Sequence, residues 1–254
     1  MEVEQWIQVQ MRDTRVKASI VVRRVSALST FYKWAIRNHL VENDPVYLAE
    51  KPKRPHRLPI WMEPDEQARF KQALHDNSDL PENVFGQTPE TIMLTRQRYQ
   101  VLFDLLQNSG LRISEALALR VSDVTVVGQY ARSVRVIGKG DRERQIPLPA
   151  GFGEELAAWI GDMQQTDYIF CKEPGGDPPV PRTVRDYLKK IMKKAGIDKK
   201  ITPHKLRHTY ATRLLESGAA LVDIQTLLGH ADLKTTQIYT HVSTERITEL
   251  VSRL

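Results

Sequence analysis

Two imidazoles, a guanidinium and a phenol fall close together late in the chain: His204, Arg207, His230 and Tyr239. A tyrosine is a weak nucleophile at neutral pH, because its hydroxyl ordinarily titrates near about 10. It becomes competent where cations and hydrogen-bond donors surround the group it attacks, most naturally a phosphate. Arginine suits that task through its permanent charge and planar fork of donors. Thr202 and Pro203 fit a helix N-cap and first helical position. Helical spacing then puts His204, Arg207 and His208 on one face. Leu206, Tyr210, Leu214 and Leu215 supply an apolar stripe, and Gly218 a stop. A second short helix over 222–228 should end at Gly229, leaving His230 just past a helix end. A third should begin near Asp232 and carry Tyr239. Taken singly, each residue has an ordinary reading: two structural histidines, an arginine paired to a carboxylate, a core tyrosine. A metal hydrolase using His204, His208 and His230 is a further reading, since His204 and His208 have the four-residue spacing of a zinc helix. Lys205, however, stands where such a helix needs a catalytic glutamate.

The run PHKLRHTYATRLLESGA, continued by IQTLLGHADLKTTQIYTHV, resembles the C-terminal half of the tyrosine recombinase catalytic domain. That family includes phage integrases, Xer-type chromosome-dimer resolvases and integron integrases. Its signature is His-x-x-Arg, then His or Trp, then the nucleophilic Tyr nine residues on, and the interval from His230 to Tyr239 matches. Upstream, Gly110-Leu111-Arg112-x-x-Glu115 and then Leu119-x-x-x-Asp123 match the place where the family keeps its first catalytic arginine. The resemblance implies that Arg112 clamps phosphate and that Glu115 supports it. It also implies that Lys139, on the Gly138-Lys139-Gly140 turn, enters the minor groove of DNA.

The chemistry implied is strand exchange by transesterification. Tyr239 attacks a phosphodiester, forms a 3′-phosphotyrosyl link and frees a 5′-hydroxyl. That hydroxyl, or one from a partner duplex, reverses the step, so no cofactor is expected. Arg112 and Arg207 hold the nonbridging oxygens. Lys139 is the general acid, His204 the general base to Tyr239, and His230 a hydrogen-bond donor to the phosphate. With two arginines at the phosphate no metal is required. The expected partner is double-stranded DNA with inverted-repeat half-sites, bound by a homodimer per site and a tetramer over two duplexes. The rival readings are a type IB topoisomerase-like strand transferase and a noncatalytic DNA-binding factor.

The bulk composition agrees. A net charge of +6 favours a polyanionic partner. No run approaches the roughly 18 apolar residues of a membrane span, and the N-terminus lacks the apolar core of a signal peptide. Cys171 is the single cysteine, so an intrachain disulfide is excluded and a reducing interior fits. A cytoplasmic, nucleoid-associated protein is expected.

These residues must be held by a mainly α chain with a small antiparallel sheet, an α+β catalytic domain preceded by a short helical DNA-binding region. Residues 1–50 read as helical, with Val21, Val25, Leu28, Tyr32 and Ala35 as one stripe. Arg23, Arg24 and Lys33 lie around it as DNA-phosphate contacts. Three prolines in KPKRPHRLP mark a boundary. The expected division is a partial, SAM-like core-binding domain at 1–51, a linker at 52–59 and the catalytic domain at 60–254. The first of these is only about half as long as the family's usual core-binding domain, so early helices of that domain are expected to be absent.

Within the catalytic part, helices are expected from Pro64 to Leu74, from Thr91 to Gln107, across Ile113–Leu119, over 151–166 and over 181–195, with a polar loop at 75–90. Val134 and Val136, then Ile146 and Leu148, flank the Gly-Lys-Gly turn as a hairpin. Tyr168-Ile169-Phe170 forms a short strand or enters a loop. Arg142 and Arg144 on the hairpin, Arg182 and Arg185 on the 181–195 helix, and Lys205 are assigned to DNA contact. An amphipathic tail helix over 244–254 either packs on its own chain or docks on a neighbouring protomer.

Overall fold

The computed structural model describes residues 3–13, 16–47, 60–78, 88–138, 143–229 and 251. The chain divides into two compact units, Met1–Pro59 and Ile60–Leu254.

The first unit holds α1 (Val3–Arg12) and α2 (Ala18–Arg37). Where continuous helix was expected, the chain breaks between them. The Asp13 N–H closes on the Val9 carbonyl and the Val16 N–H on the Asp13 carbonyl, which turns the backbone. Ile7, Val21, Val25 and Val46 bury together, with Trp6, Leu28 and Tyr32 packed on them. Arg23, Arg24 and Lys33 stay on the exposed side of α2.

The second unit is built around α4 (Pro89–Ser109). Thr88 caps it, its hydroxyl accepting the Thr91 N–H at 3.3 Å, so the helix starts two residues before the expected Thr91. Val101, Leu102, Phe103, Leu105 and Leu106 are all buried. This buried run sits among three other helices, α4 being packed by α5 (Ile113–Ala118), α6 (Ala150–Ile160) and α8 (Pro203–Glu216). Its described residues also form α3 (Pro64–His75), α7 (Pro181–Lys194) and α9 (Leu221–Leu228). At the start of α3 the Glu66 carboxylate accepts the Glu63 N–H at 2.8 Å, and Pro64 occupies the first turn. On α7, Val184, Leu188, Ile191 and Met192 turn inward as their spacing requires. Of the tail, only Val251 is described, and it is buried with this core.

The hairpin is present as β2 (Tyr130–Ile137) and β3 (Glu143–Pro147), with Val134 opposite Ile146. A third strand, β1 (Val124–Val127), was not expected. It lies on the edge of the sheet in the order β1-β2-β3, carries a register shift after Thr125, and is largely exposed. An edge strand with neither face buried has no alternating pattern to betray it.

One further element differs from expectation. α6 stops at Ile160 because the following segment is used elsewhere. The Gln165 and Asp167 carbonyls accept the Ser122 and Val121 N–H groups, both at 3.0 Å. Tyr168 makes a single bridge to Arg120, whose guanidinium lies 4.1 Å from the centre of its ring. Among the described residues no helix is long and apolar enough to cross a membrane.

Candidate active site

The site is assembled where α4 ends. Gly110 takes a left-handed conformation, φ 62°, and terminates that helix. A side chain here would be strained by the backbone. It would also collide with packing, since a Cβ would lie 2.4 Å from the ring of Tyr210 and 2.8 Å from Leu228. The turn lets Leu111 bury and sets Arg112, in extended conformation, at the N-cap of α5. Glu115 follows one turn later and reaches back to accept the Arg112 N–H at 2.8 Å.

Glu115 then gathers three guanidinium groups. Arg112 Nη1 donates to its Oε1 at 2.8 Å, and Arg144 Nη2 to its Oε2 at 2.9 Å. Arg207 Nη1 stands 3.9 Å from the same Oε2. Burial alone would raise the Glu115 pKa. The Arg112 N–H and the donors from Arg144 and Arg112 outweigh it and hold the carboxyl below its ordinary value.

Arg207 comes from the first turns of α8, where Thr202 and Pro203 do open the helix as expected. Its side chain is 4% exposed. It donates to the Gly110 carbonyl at 3.0 Å and to the Leu228 carbonyl at the end of α9. Burial, then Arg112, lowers its pKa to about 10, with Glu115 opposing and Arg144 adding to the shift. Three cations share one carboxylate, so the cluster carries a surplus of positive charge. Arg112, whose side chain is 44% exposed, offers that charge to solvent. Such a cluster is built to receive an anion with several oxygens.

His204 lies one turn before Arg207 and is exposed, its ring 6.4 Å from that of His208 and nearly parallel to it. Burial first, then His208, Arg207 and Arg112, push its pKa below the ordinary value. The shift favours the neutral imidazole, the form a general base needs.

Arg112, Glu115, His204 and Arg207 are thus brought together, and Arg144, assigned from sequence to phosphate, joins them from within. Its guanidinium is 13% exposed and also donates to the Leu227 carbonyl at 3.1 Å. Lys139, Arg142, His230 and Tyr239 lie outside the described residues, as do the linker at 52–59 and the helix expected near Asp232. Arg182 and Arg185 are exposed on α7, whereas the Lys205 ammonium donates to the Lys200 carbonyl at 2.6 Å. Among the described residues, the one group of three potential metal ligands is His75, Asp104 and Glu155, with His75 Nε2 2.7 Å from Asp104. The sequence did not disclose that the Gly110 and Leu228 carbonyls hold Arg207. Backbone acceptors carry no residue-type signal, although the glycines at 110 and 229 mark both turns.

The chain is similar to known proteins in sequence and in fold. The phage integrase family matches residues 85–246. Tyrosine recombinase XerC of Anoxybacillus flavithermus is 34% identical over 236 residues, covering 89% of this chain and 72% of its own. Tyrosine recombinase XerD of Staphylococcus aureus is 32% identical over 248 residues, covering 95% and 78%. Among solved structures, XerH recombinase bound to its difH substrate superposes with a TM-score of 0.67 at 24% identity, over 98% of this chain and 68% of that one. A lambda integrase dimer bound to a COC′ core site gives 0.62 at 20% identity, over 94% and 80%. These two structural likenesses speak to the fold, and the sequence matches speak to descent. With the family matched across most of the second unit and relatives above 30% identity across nearly the whole chain, this protein belongs to the phage integrase family of tyrosine recombinases.

Proposed function

We propose that this protein is a site-specific DNA recombinase that cuts and rejoins strands through a 3′-phosphotyrosyl intermediate on Tyr239. The observation that carries the reading is the cluster of Arg112, Arg144 and Arg207 around the single carboxylate of Glu115, with His204 one turn before Arg207 on α8. In the proposed reaction the scissile phosphate sits against Arg112 and Arg207, which offset charge as the phosphorus becomes five-coordinate. His204 takes the Tyr239 proton, Lys139 gives one to the leaving 5′-oxygen, and His230 donates a hydrogen bond to the phosphate. The phosphotyrosyl bond conserves the energy of the broken ester, so rejoining needs only a returning 5′-hydroxyl.

The DNA is held, in this reading, by two domains joined through 52–59: a core-binding unit presenting Arg23, Arg24 and Lys33, and the catalytic unit presenting Arg142, Arg182, Arg185 and Lys205. The exposure of Arg182 and Arg185 on α7 supports that contact. Inverted half-sites bound by a dimer, and a tetramer across two duplexes, give each 5′-hydroxyl a partner strand to attack. The protein works in the cytoplasm, on the nucleoid.

The test is strand transfer. Two differently labelled duplexes bearing one inverted-repeat site are incubated with wild type and with Tyr239→Phe. Hybrid-length strands made by wild type alone are expected. Relaxation of supercoiled DNA without any hybrid strand would overturn the assignment to recombination.

A further inference from the structure

Arg144 is placed as no phosphate-binding arginine needs to be. It sits on β3, five residues past Lys139 in sequence, yet its side chain is 13% exposed, against 45% for Arg135 on the neighbouring strand. One edge of the fork donates to Glu115 Oε2 at 2.9 Å, and Nε donates to the Leu227 carbonyl at 3.1 Å. The guanidinium lies over Gly229, where an added Cβ would sit 3.2 Å from Nη1 and 3.3 Å from Cζ and Nε. Gly229 is also left-handed, φ 62°. The glycine therefore serves twice, turning the chain out of α9 and leaving room for the arginine.

The last carbonyls of any helix lack partners and carry its negative end. Here the final two of α9 are taken by two arginines, Leu227 by Arg144 and Leu228 by Arg207. Both arginines also face Glu115, which holds Arg112. The exit of α9 is thereby fixed to the same carboxylate that orients Arg112. The chain leaving that exit carries His230 as its next residue and Tyr239 nine further on.

We propose that Arg144 is a positioning residue: it locks the end of α9 onto Glu115 and so fixes, relative to Arg112 and Arg207, the point from which the chain runs on to His230 and Tyr239. It does not act as a phosphate contact. The proposal rests on the recombinase reading above. For Arg144 to reach DNA instead, it would have to abandon both hydrogen bonds and leave Glu115 with fewer donors in a largely buried place.

The two roles differ in what they do to salt dependence and to rate. A phosphate contact releases counterion, so losing it lowers the slope of log K against log salt by about 0.9 and leaves chemistry at saturation intact. A misregistered nucleophile segment leaves the slope alone and slows cleavage, by about a hundredfold for a displacement near one ångström. Arg144→Lys, Arg144→Gln and, as the phosphate control, Arg182→Gln are compared with wild type. The measurements are DNA binding over a salt series and single-turnover cleavage of a nicked site at saturating protein. Both Arg144 variants are expected to keep the wild-type slope and cleave at least about tenfold more slowly. Arg182→Gln should lower the slope by about 0.9. Guanidinium ion added to Arg144→Ala should restore part of the rate, which it would not do for a protein merely misfolded. Wild-type cleavage by either Arg144 variant at saturation, or a slope reduced by about one, overturns the proposal. Absence of Tyr239-dependent cleavage by wild type would instead fall on the recombinase reading itself.

Discussion

His204 shows what a single residue owes to its surroundings. Its imidazole is pushed toward the neutral form by burial and by His208, Arg207 and Arg112. A histidine whose folded pKa lies below its unfolded one binds a proton less readily in the native state. Stability is therefore lost as pH falls from the ordinary value of 6.5 through the lower folded one. Proton NMR of the free protein should show the ring signal that disappears in His204→Gln titrating with a midpoint below 6.5. A midpoint at or above that value would remove the electrostatic basis for a general base. At this scale the sequence was most informative where chemistry depends on spacing within one helix. His204 and Arg207 are three apart within α8, so periodicity alone brings them to one side, whereas Arg112 meets Glu115 through the capping turn of α5. It was least informative for Arg144, whose partners are 29 and 83 residues away. Nothing local distinguishes an arginine that turns inward to Glu115 from one that reaches out to DNA.

Among the elements, the joint between α4 and α5 does the most to set the site. Gly110 ends one helix, presents its carbonyl to Arg207, and leaves space for Tyr210 and Leu228. Gly110→Ala should cost about 2–4 kcal/mol, from the left-handed backbone and the forced repacking together. Urea unfolding measures it, and a change within about 0.5 kcal/mol of wild type, as for an ordinary surface substitution, would contradict this account of the joint. The helices of the second unit were legible from apolar stripes and stop signals, whereas the break between α1 and α2 was not. Boundaries moved where tertiary hydrogen bonds compete with helix propensity. α6 ends early because the carbonyls of Gln165 and Asp167 serve the turn at Val121–Asp123. β1 went unseen because its side chains face solvent and pattern requires burial.

For the molecule as a whole, an excess of positive charge, two compact units and descent from DNA recombinases point to one polyanionic substrate. The fold class could be read from the sequence because the signature motifs identify the family. The pairing of α4 with α8, and of α9 with β3, could not. Those contacts join segments far apart in the chain, and they bring Arg207 to Gly110 and Arg144 to Leu227. The most direct test of the whole account is covalent trapping on a nicked, end-labelled inverted-repeat site, resolved on a denaturing gel. Wild type should give a protein-sized shift of the labelled strand that ends on Tyr239 in peptide mapping, and Tyr239→Phe should give none. A shift that persists in Tyr239→Phe, or none from wild type on a duplex it demonstrably binds, would contradict it.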